Sequence, residues 1–219
     1  MAVDKARGFQ FHLMVVTSER DLPDETAAWE TLREAGLTHL HLRKPHWDKA
    51  RMEACLESLS PGLRACVRLH DHHALAARYH VGGLHLNARH PLPPQGYRGP
   101  VSRSCHTLAE VERYKTACEY VFLSPVYASI SKQGYAAAFT PETLREAAES
   151  GLIDARVVAM GGVTPDKLPP LQALGFGGAA VLGALWQPYA HAADLNALRS
   201  AWETFRQAAA KMNPNDEAR

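Results

Sequence analysis

Arg156-Val-Val-Ala-Met-Gly-Gly-Val-Thr-Pro165, followed by Gly178-Ala-Ala-Val-Leu-Gly-Ala-Leu-Trp186, is the part of the sequence that decides the fold. Both runs are apolar and rich in small and β-branched residues, which is typical of strands buried on both faces of a parallel sheet. The first run ends in Gly161-Gly162, just before a helix that Thr164-Pro165 would open. Such glycines let backbone N–H groups approach an anion, although a tight turn alone would also use them. In α/β barrels a phosphate site commonly follows strands seven and eight, so we predict that Gly161 and Gly162 bind phosphate.

Strand and helix patterns alternate along the whole chain. Strands one to six are predicted at 9–17, 38–43, 65–71, 84–87, 101–106 and 120–125. Helices are predicted at 24–36, 48–59, 73–79, 108–117, 140–151 and 194–211, with a turn at 61–62 and an irregular loop at 88–100. A doubly wound sheet would need a glycine fingerprint after strand one, which is missing. The pattern therefore predicts an α/β fold, a single (β/α)8 TIM barrel over residues 1–219 with a frayed tail at 212–219.

Composition excludes several classes of partner. The 219 residues carry 24 Lys and Arg against 23 Asp and Glu, so no field of one sign would attract nucleic acid or an anionic membrane. No signal peptide or membrane span is visible, and we expect a cytoplasmic protein. The four cysteines lack metal-site spacing and are interpreted as reduced small hydrophobes. The sequence leaves open whether the chain forms a homo-oligomer.

In a barrel the chemistry lies where strands end. The polar residues at predicted strand ends are Arg43, Lys44, His70, Asp71, Asn87, Ser104, His106, Ser129, Ser131 and Lys132. The Ser129-Ile-Ser131-Lys132 loop places two hydroxyls and an ammonium where they could donate to phosphate oxygens. A solvated polar loop would have the same composition.

Several of these motifs occur in the order of a known family. They are His41-Leu-Arg43, Asp71, His85-Leu86, Ser104-Cys-His-Thr107, Ser124-Pro125, Ser129-Ile-Ser131-Lys132 and Ala159-Met-Gly-Gly-Val163. In this order the chain resembles the thiamine-phosphate synthases and their relatives, the thiazole tautomerases, which share one α/β barrel. The resemblance runs from the first strand to the eighth.

The resemblance implies a reaction and a set of roles. A synthase joins a hydroxymethylpyrimidine diphosphate to a thiazole phosphate with magnesium and releases diphosphate. Arg43, Lys132 and the two loop serines would hold phosphate oxygens, and we add Lys44 and Asn87 as candidate substrate ligands. Gly162 and the Leu182-Gly183 backbone would hold the thiazole phosphate. Asp71 would bind Mg²⁺ and Ser104 would lie near the pyrimidine, so the small-molecule partners would be the phosphorylated thiazole and pyrimidine.

The chain departs from the synthase pattern at several positions. His70 replaces the expected asparagine, His90 the second magnesium carboxylate, His41 a glutamine and Pro45 a lysine. An imidazole offers nitrogen where Mg²⁺ prefers oxygen, which weakens the expectation of a magnesium site.

Three alternatives stay open. A thiazole tautomerase needs a base with a pKa near neutrality and no metal, and His106, His70 or His41 could serve, since Pro125 replaces the histidine of that family. His39-Leu-His41 and His70-Asp-His72 imitate the HxH spacing of metal-dependent barrel hydrolases, although on the wrong strand. A barrel that binds a thiazole or thiamine phosphate without turnover is the third.

Overall fold

The computed structural model describes residues 11–128 and 138–212, and within them eight parallel strands close into a barrel in the order β1 to β8. The strands are β1 His12–Val16, β2 Leu40–Leu42, β3 Val67–Leu69, β4 Gly83–Leu86, β5 Val101–Cys105, β6 Tyr120–Leu123, β7 Val157–Met160 and β8 Gly178–Val181. β1 pairs with both β2 and β8, which closes the sheet. The (β/α)8 barrel prediction is confirmed.

Helices connect the strands and cover the outside of the barrel. They are α1 Glu25–Glu34, α2 Lys49–Ser58, α3 Pro61–Cys66, α4 Ala76–Tyr79, α5 Leu108–Tyr114, α6 Pro141–Glu149, α7 Leu168–Ala173, α8 Gly183–Ala192 and α9 Leu195–Ala210. Short 3₁₀ turns at His73–Leu75 and Pro165–Lys167 precede α4 and α7, and a third at Lys115–Ala117 follows α5. A capping box of Thr107 and Glu110 opens α5.

Three predictions about local structure were wrong. The predicted turn at 61–62 is the start of α3, because the Ser60 hydroxyl accepts from the Leu63 N–H and Pro61 occupies the first helical turn. This helix also shortens β3, which begins at Val67 rather than residue 65. The apolar run from Gly178 is a strand only as far as Val181, since α8 takes over at Gly183.

Side chains of the strands divide between two apolar layers. Leu40 and Leu42 belong to the large cluster between sheet and helices, because alternate residues of a strand face the same side of the sheet. A smaller cluster fills the barrel itself and includes Met14, Tyr120 and Phe122. No helix within 11–128 or 138–212 is long and apolar enough to cross a membrane. Of the predicted frayed tail, residues 213–219 lie outside the described residues.

Candidate active site

Histidines from neighbouring strands meet inside the barrel. His41 is fully buried; its Nδ1 lies 3.0 Å from His70 Nε2 and its Nε2 lies 2.9 Å from the Tyr120 hydroxyl. Burial holds the pKa of His41 and His70 well below 6.5, and neighbouring histidines add to the shift. Both imidazoles are therefore neutral, hydrogen-bonded core groups, which makes them poor candidates for the base of a tautomerase.

Ser104 is oriented by a hydrogen-bond chain that starts at a backbone carbonyl. The Ser102 hydroxyl donates to Leu84 O at 3.2 Å, so it accepts from His85 Nδ1 at 2.8 Å. The remaining nitrogen, His85 Nε2, must then accept the proton of the Ser104 hydroxyl, 2.8 Å away. Burial lowers the pKa of His85 to about 3, so this tautomer persists at neutral pH. Ser104 consequently offers its oxygen lone pairs to a ligand.

Asp71 lies at the end of β3 and is closely held. Its Oδ1 accepts from Arg89 Nη2 at 2.9 Å and lies 3.3 Å from His90 Nε2. Asp71, Arg89 and His90 line a cavity of about 520 Å³ together with Trp47 and Lys49. Asp71, the predicted metal ligand, therefore lines a cavity, but the Arg89 guanidinium already binds one of its carboxylate oxygens.

Asn87 and Lys44, both predicted to bind substrate, make internal contacts instead. Asn87 Nδ2 donates to His70 O at 3.0 Å, and its Oδ1 accepts from the backbone of Arg89 and His90. Lys44 is fully buried, and its ammonium donates to both Glu25 oxygens and to Arg20 O. We therefore leave both residues out of the proposed substrate contacts.

Arg43 extends from the end of β2 toward the histidines. Burial is the main cause of the lowered pKa of His70 and His85, and neighbouring histidines come next. The positive charge of Arg43 lowers both pKa values further, so its guanidinium acts electrostatically on both rings. It also pairs with Glu19 at 2.5 Å. Arg43 is thus a cation next to the end of β2, and its predicted phosphate contact stays a prediction.

The glycine pair after β7 has the backbone conformation of a tight turn. Gly161 and Gly162 have φ of 99° and 60°. The loop after β6 packs against them: the Tyr127 N–H donates to Gly161 O at 3.2 Å. Lys167, which the sequence did not single out, donates to Gly162 O at 2.6 Å and adds a cation beside the pair.

Gly162→Ala should destabilise the fold far more than a glycine-to-alanine change at an open position. An added Cβ would lie 2.2 Å from Ala128 O, on a backbone with positive φ. Strain and overpacking together predict a loss of about 3 kcal/mol or more in urea unfolding. Gly151→Ala is the matched control, because its φ of 73° is also positive but nothing lies within 4 Å of the added carbon. Equal losses for the two variants would contradict the close packing.

The rim beside β8 continues the site. Leu182 precedes α8 without capping it through a side chain, and Gly183 is the first helical residue. The first N–H groups of a helix have no partner within the helix. Leu182 and Gly183 also line a second cavity of about 450 Å³ with Ser18 and Arg20. The start of α8 therefore lies at this cavity, and the predicted contact of the Leu182-Gly183 backbone with the thiazole phosphate stays a prediction.

His106 lies at the end of β5, next to the end of β6. It is exposed, and its Nδ1 is 3.0 Å from Ser124 O. A contact to a carbonyl requires Nδ1 to carry a proton, and Nε2 has no hydrogen-bond partner among the described residues. Ser129, Ser131 and Lys132 lie outside the described residues, and their predicted phosphate contacts stay predictions.

The His70-Asp-His72 dyad does not form a metal pair. His72 Nε2 is 2.8 Å from Trp47 O, away from His70. Among the described residues, the histidines whose ring nitrogens converge within 4.8 Å are His41, His70 and His85, one from each of three neighbouring strands. His85, together with Arg89, His73 and Lys167, is a site residue that sequence reasoning did not select.

The fold and the site define a class: a (β/α)8 barrel whose charged and hydroxyl side chains gather at the carboxyl ends of its strands. Residues 13–185 match the thiamine monophosphate synthase family. The chain belongs to that family.

Individual relatives agree with this assignment. A crystal structure of thiamine phosphate pyrophosphorylase from Bacteroides thetaiotaomicron is 36% identical, with a TM-score of 0.81 over 90% of this chain and 96% of that one. The thiamine-phosphate synthase of Klebsiella pneumoniae is 30% identical over 74% of this chain and 82% of that protein. A thiamine biosynthesis bifunctional protein of Symbiobacterium thermophilum is 28% identical over 79% of this chain. This chain spans 37% of the Symbiobacterium protein and 52% of a synthase from Actinobacillus succinogenes.

Proposed function

We propose that this chain joins a hydroxymethylpyrimidine diphosphate to a thiazole phosphate, giving thiamine phosphate and diphosphate. The observation that supports it most is the position of Arg43, Asp71 and Ser104. These residues follow or end three different strands, and each has the position that the family resemblance assigns to a ligand contact.

The reaction makes one bond and breaks one. The thiazole nitrogen gives its lone pair to the methylene carbon of the pyrimidine. The bond from that carbon to the diphosphate oxygen breaks, and diphosphate leaves with the bonding electrons. The barrier is set mainly by that leaving group, so cations around it lower the barrier. Arg43 and Arg89 supply such charge in the proposed site, while the Ser104 oxygen accepts from an N–H of the pyrimidine.

The thiazole phosphate would bind at the opposite side of the mouth. We propose that the backbone at Gly161-Gly162 and the start of α8 at Gly183 hold its oxygens. Lys167 beside Gly162 O adds a positive charge. Ser129, Ser131 and Lys132 complete the phosphate site in this proposal.

Magnesium fits the residues at Asp71 poorly. Mg²⁺ takes oxygen ligands, whereas the neighbours of this carboxylate are the Arg89 guanidinium and the His90 imidazole. We therefore derive no step of the reaction through Mg²⁺.

A thiazole tautomerase is the second candidate, because of His106. Its ring contacts the carbonyl of Ser124, directly before Pro125, which replaces the histidine of that family. The free Nε2 could take and return the proton that such an isomerisation moves.

One assay separates these functions. In the first arm, purified protein is mixed with the pyrimidine diphosphate and the thiazole phosphate, and the release of diphosphate and the formation of thiamine phosphate are measured. In the second arm, the protein is mixed with the thiazole carboxylate phosphate, and its isomerisation is measured. Synthase activity should fall about 100-fold or more in Ser104→Ala, because the pyrimidine loses an oriented acceptor. Ser58→Ala, on the exposed end of α2, is the control. Isomerisation that depends on His106, without diphosphate release, would replace the proposal by the second candidate.

A further inference from the structure

Three imidazoles from β2, the end of β3 and β4 face one another inside the barrel. One ring nitrogen of each of His41, His70 and His85 lies within 4.8 Å of the other two. His41 and His85 are fully buried, and His70 is 4% exposed. Such interiors are usually filled by branched apolar side chains, so three polar rings together require a reason. His41 and His70 are also two of the positions at which the chain departs from the synthase pattern, and both departures add an imidazole beside His85.

The first two ring nitrogens are already as close as two ligands of one ion. His41 Nδ1 lies 3.0 Å from His70 Nε2, so one of these nitrogens donates its proton to the other. Ligand atoms about 2.0–2.1 Å from a tetrahedral zinc ion are about 3.3 Å apart. A metal ion can therefore replace the shared proton with little change in this separation. His41 Nε2 would then carry its ring proton and donate to the Tyr120 hydroxyl, 2.9 Å away.

The third lone pair is set by contacts between β4 and β5. The Ser102 hydroxyl donates to Leu84 O at 3.2 Å and accepts from His85 Nδ1 at 2.8 Å, so Nε2 of His85 carries the lone pair. A histidine that donates through one ring nitrogen and presents the other is the usual form of a metal ligand. The Ser104 hydroxyl, 2.8 Å from this Nε2, would release it to the ion.

One ring has to turn before the three lone pairs converge. The His70 and His85 rings stack with centroids 4.1 Å apart and planes 18° apart, so their in-plane lone pairs point nearly side by side. Among the described residues, hydrogen bonds hold both ring nitrogens of His41 and of His85, but only Nε2 of His70. Rotation of the His70 ring about its Cβ–Cγ bond therefore exchanges the contact with His41 for the ion and breaks no other ring contact within 11–128 and 138–212.

We propose that His41 Nδ1, His70 Nε2 and His85 Nε2 bind one transition-metal dication of the zinc type inside the barrel. Three imidazoles without a carboxylate favour Zn²⁺, Co²⁺ or Ni²⁺ over Mg²⁺, which prefers oxygen. Three protein ligands leave a fourth position open, which the partly exposed Ser104 connects to the mouth of the barrel. The site would bind metal whichever reaction the barrel performs.

Metal titration of the purified full chain tests the proposal without any assay of activity. After removal of metal by a chelator, the chain is equilibrated at pH 8, and Zn²⁺ affinity is measured by competition with a chromogenic chelator. Co²⁺ binding is followed by its ligand-field absorption. We expect one equivalent to bind, unaffected by excess Mg²⁺, with the cobalt spectrum of a four-coordinate site. These wild-type results do not depend on whether any variant folds.

Variants of the three histidines identify the ligands. Zinc affinity should weaken more than about tenfold in His41→Gln, His70→Asn and His85→Gln, with circular dichroism as the check of folding. Ser102→Ala removes the acceptor of His85 Nδ1 and should weaken zinc affinity about tenfold, although Ser102 itself is no ligand.

Two control variants lie outside the histidine group. Asp71→Asn changes the carboxylate at the mouth, and His80→Asn removes an exposed histidine after α4. Both should bind zinc with wild-type affinity. Absence of one-equivalent binding to the wild-type chain would overturn the proposal. So would a loss of zinc affinity in Asp71→Asn or His80→Asn while folded His41→Gln, His70→Asn and His85→Gln keep it.

Discussion

Acid should unfold this protein at an unusually mild pH. Burial lowers the pKa of His39 to about 4 and of His85 to about 3, and holds the pKa of His41 and His70 well below 6.5. In the unfolded chain these histidines bind protons near pH 6.5, so the unfolded state gains protons first and stability falls as the pH drops below that value. Full stability is present above pH 6.5.

The size of the effect follows from proton linkage. Each histidine contributes a slope of about 1.4 kcal/mol per pH unit between its unfolded and folded pKa, so His39 and His85 alone remove about 4 kcal/mol between pH 7 and pH 5, and the lowered pKa values of His41 and His70 add to that loss. That is comparable to the whole stability of an ordinary domain. Urea unfolding curves at a series of pH values between 8 and 5 measure the slope.

A double variant isolates the barrel histidines. His41→Gln with His70→Asn restores the residues that the synthase pattern carries and should reduce the loss of stability between pH 7 and pH 5. The comparison uses the slope of each variant against its own value at pH 8, so a constant cost of mutation cancels. His80→Asn, at an exposed position, should keep the wild-type slope. An unchanged slope in the double variant would show that these imidazoles do not govern acid stability.

The barrel could be predicted because its signals are local. Short apolar runs between helical segments and turn residues determine strand positions without knowledge of what each strand contacts. Prediction failed where one local pattern fits two kinds of element. Gly183 continues the apolar run of β8, so periodicity alone did not reveal where α8 begins. Pro61-Gly62 fits a turn as well as it fits the first turn of α3, and only the cap from Ser60 decides.

The site was less predictable because the residues that a side chain contacts often lie far from it in the sequence. Ser104 was selected as a strand-end hydroxyl, but the hydrogen bonds to His85 that orient it appear only once β4 and β5 pair. Asp71 was recognised, whereas Arg89 and His73 were missed because nothing in the sequence says that they share its cavity. Lys44 followed a strand like a ligand-binding cation, and its contact with Glu25 depends on the packing of α1.

Lys44→Met should destabilise the protein by about 3–5 kcal/mol, because it leaves a buried carboxylate without its partner. The ammonium lies 2.5 and 2.6 Å from the Glu25 oxygens and is fully buried. It also stands over the rings of Trp29 and Trp47, at 6.0 and 5.1 Å from their centroids. Burial already raises the pKa of Glu25 despite this cation. Chemical denaturation of the variant at pH 8, where the histidines contribute no loss, measures the cost.

The double variant Lys44→Met with Glu25→Leu distinguishes the two interpretations of this lysine. Replacing a buried ion pair by apolar side chains of similar volume is often neutral, so the double variant should recover most of the stability that Lys44→Met loses. If Lys44 instead binds substrate phosphate, Lys44→Met would keep its stability and lose affinity for inorganic phosphate, and Glu25→Leu would restore nothing. The ion pair links the end of β2 to the start of α1, so we expect the loss to appear in unfolding and phosphate affinity to stay unchanged.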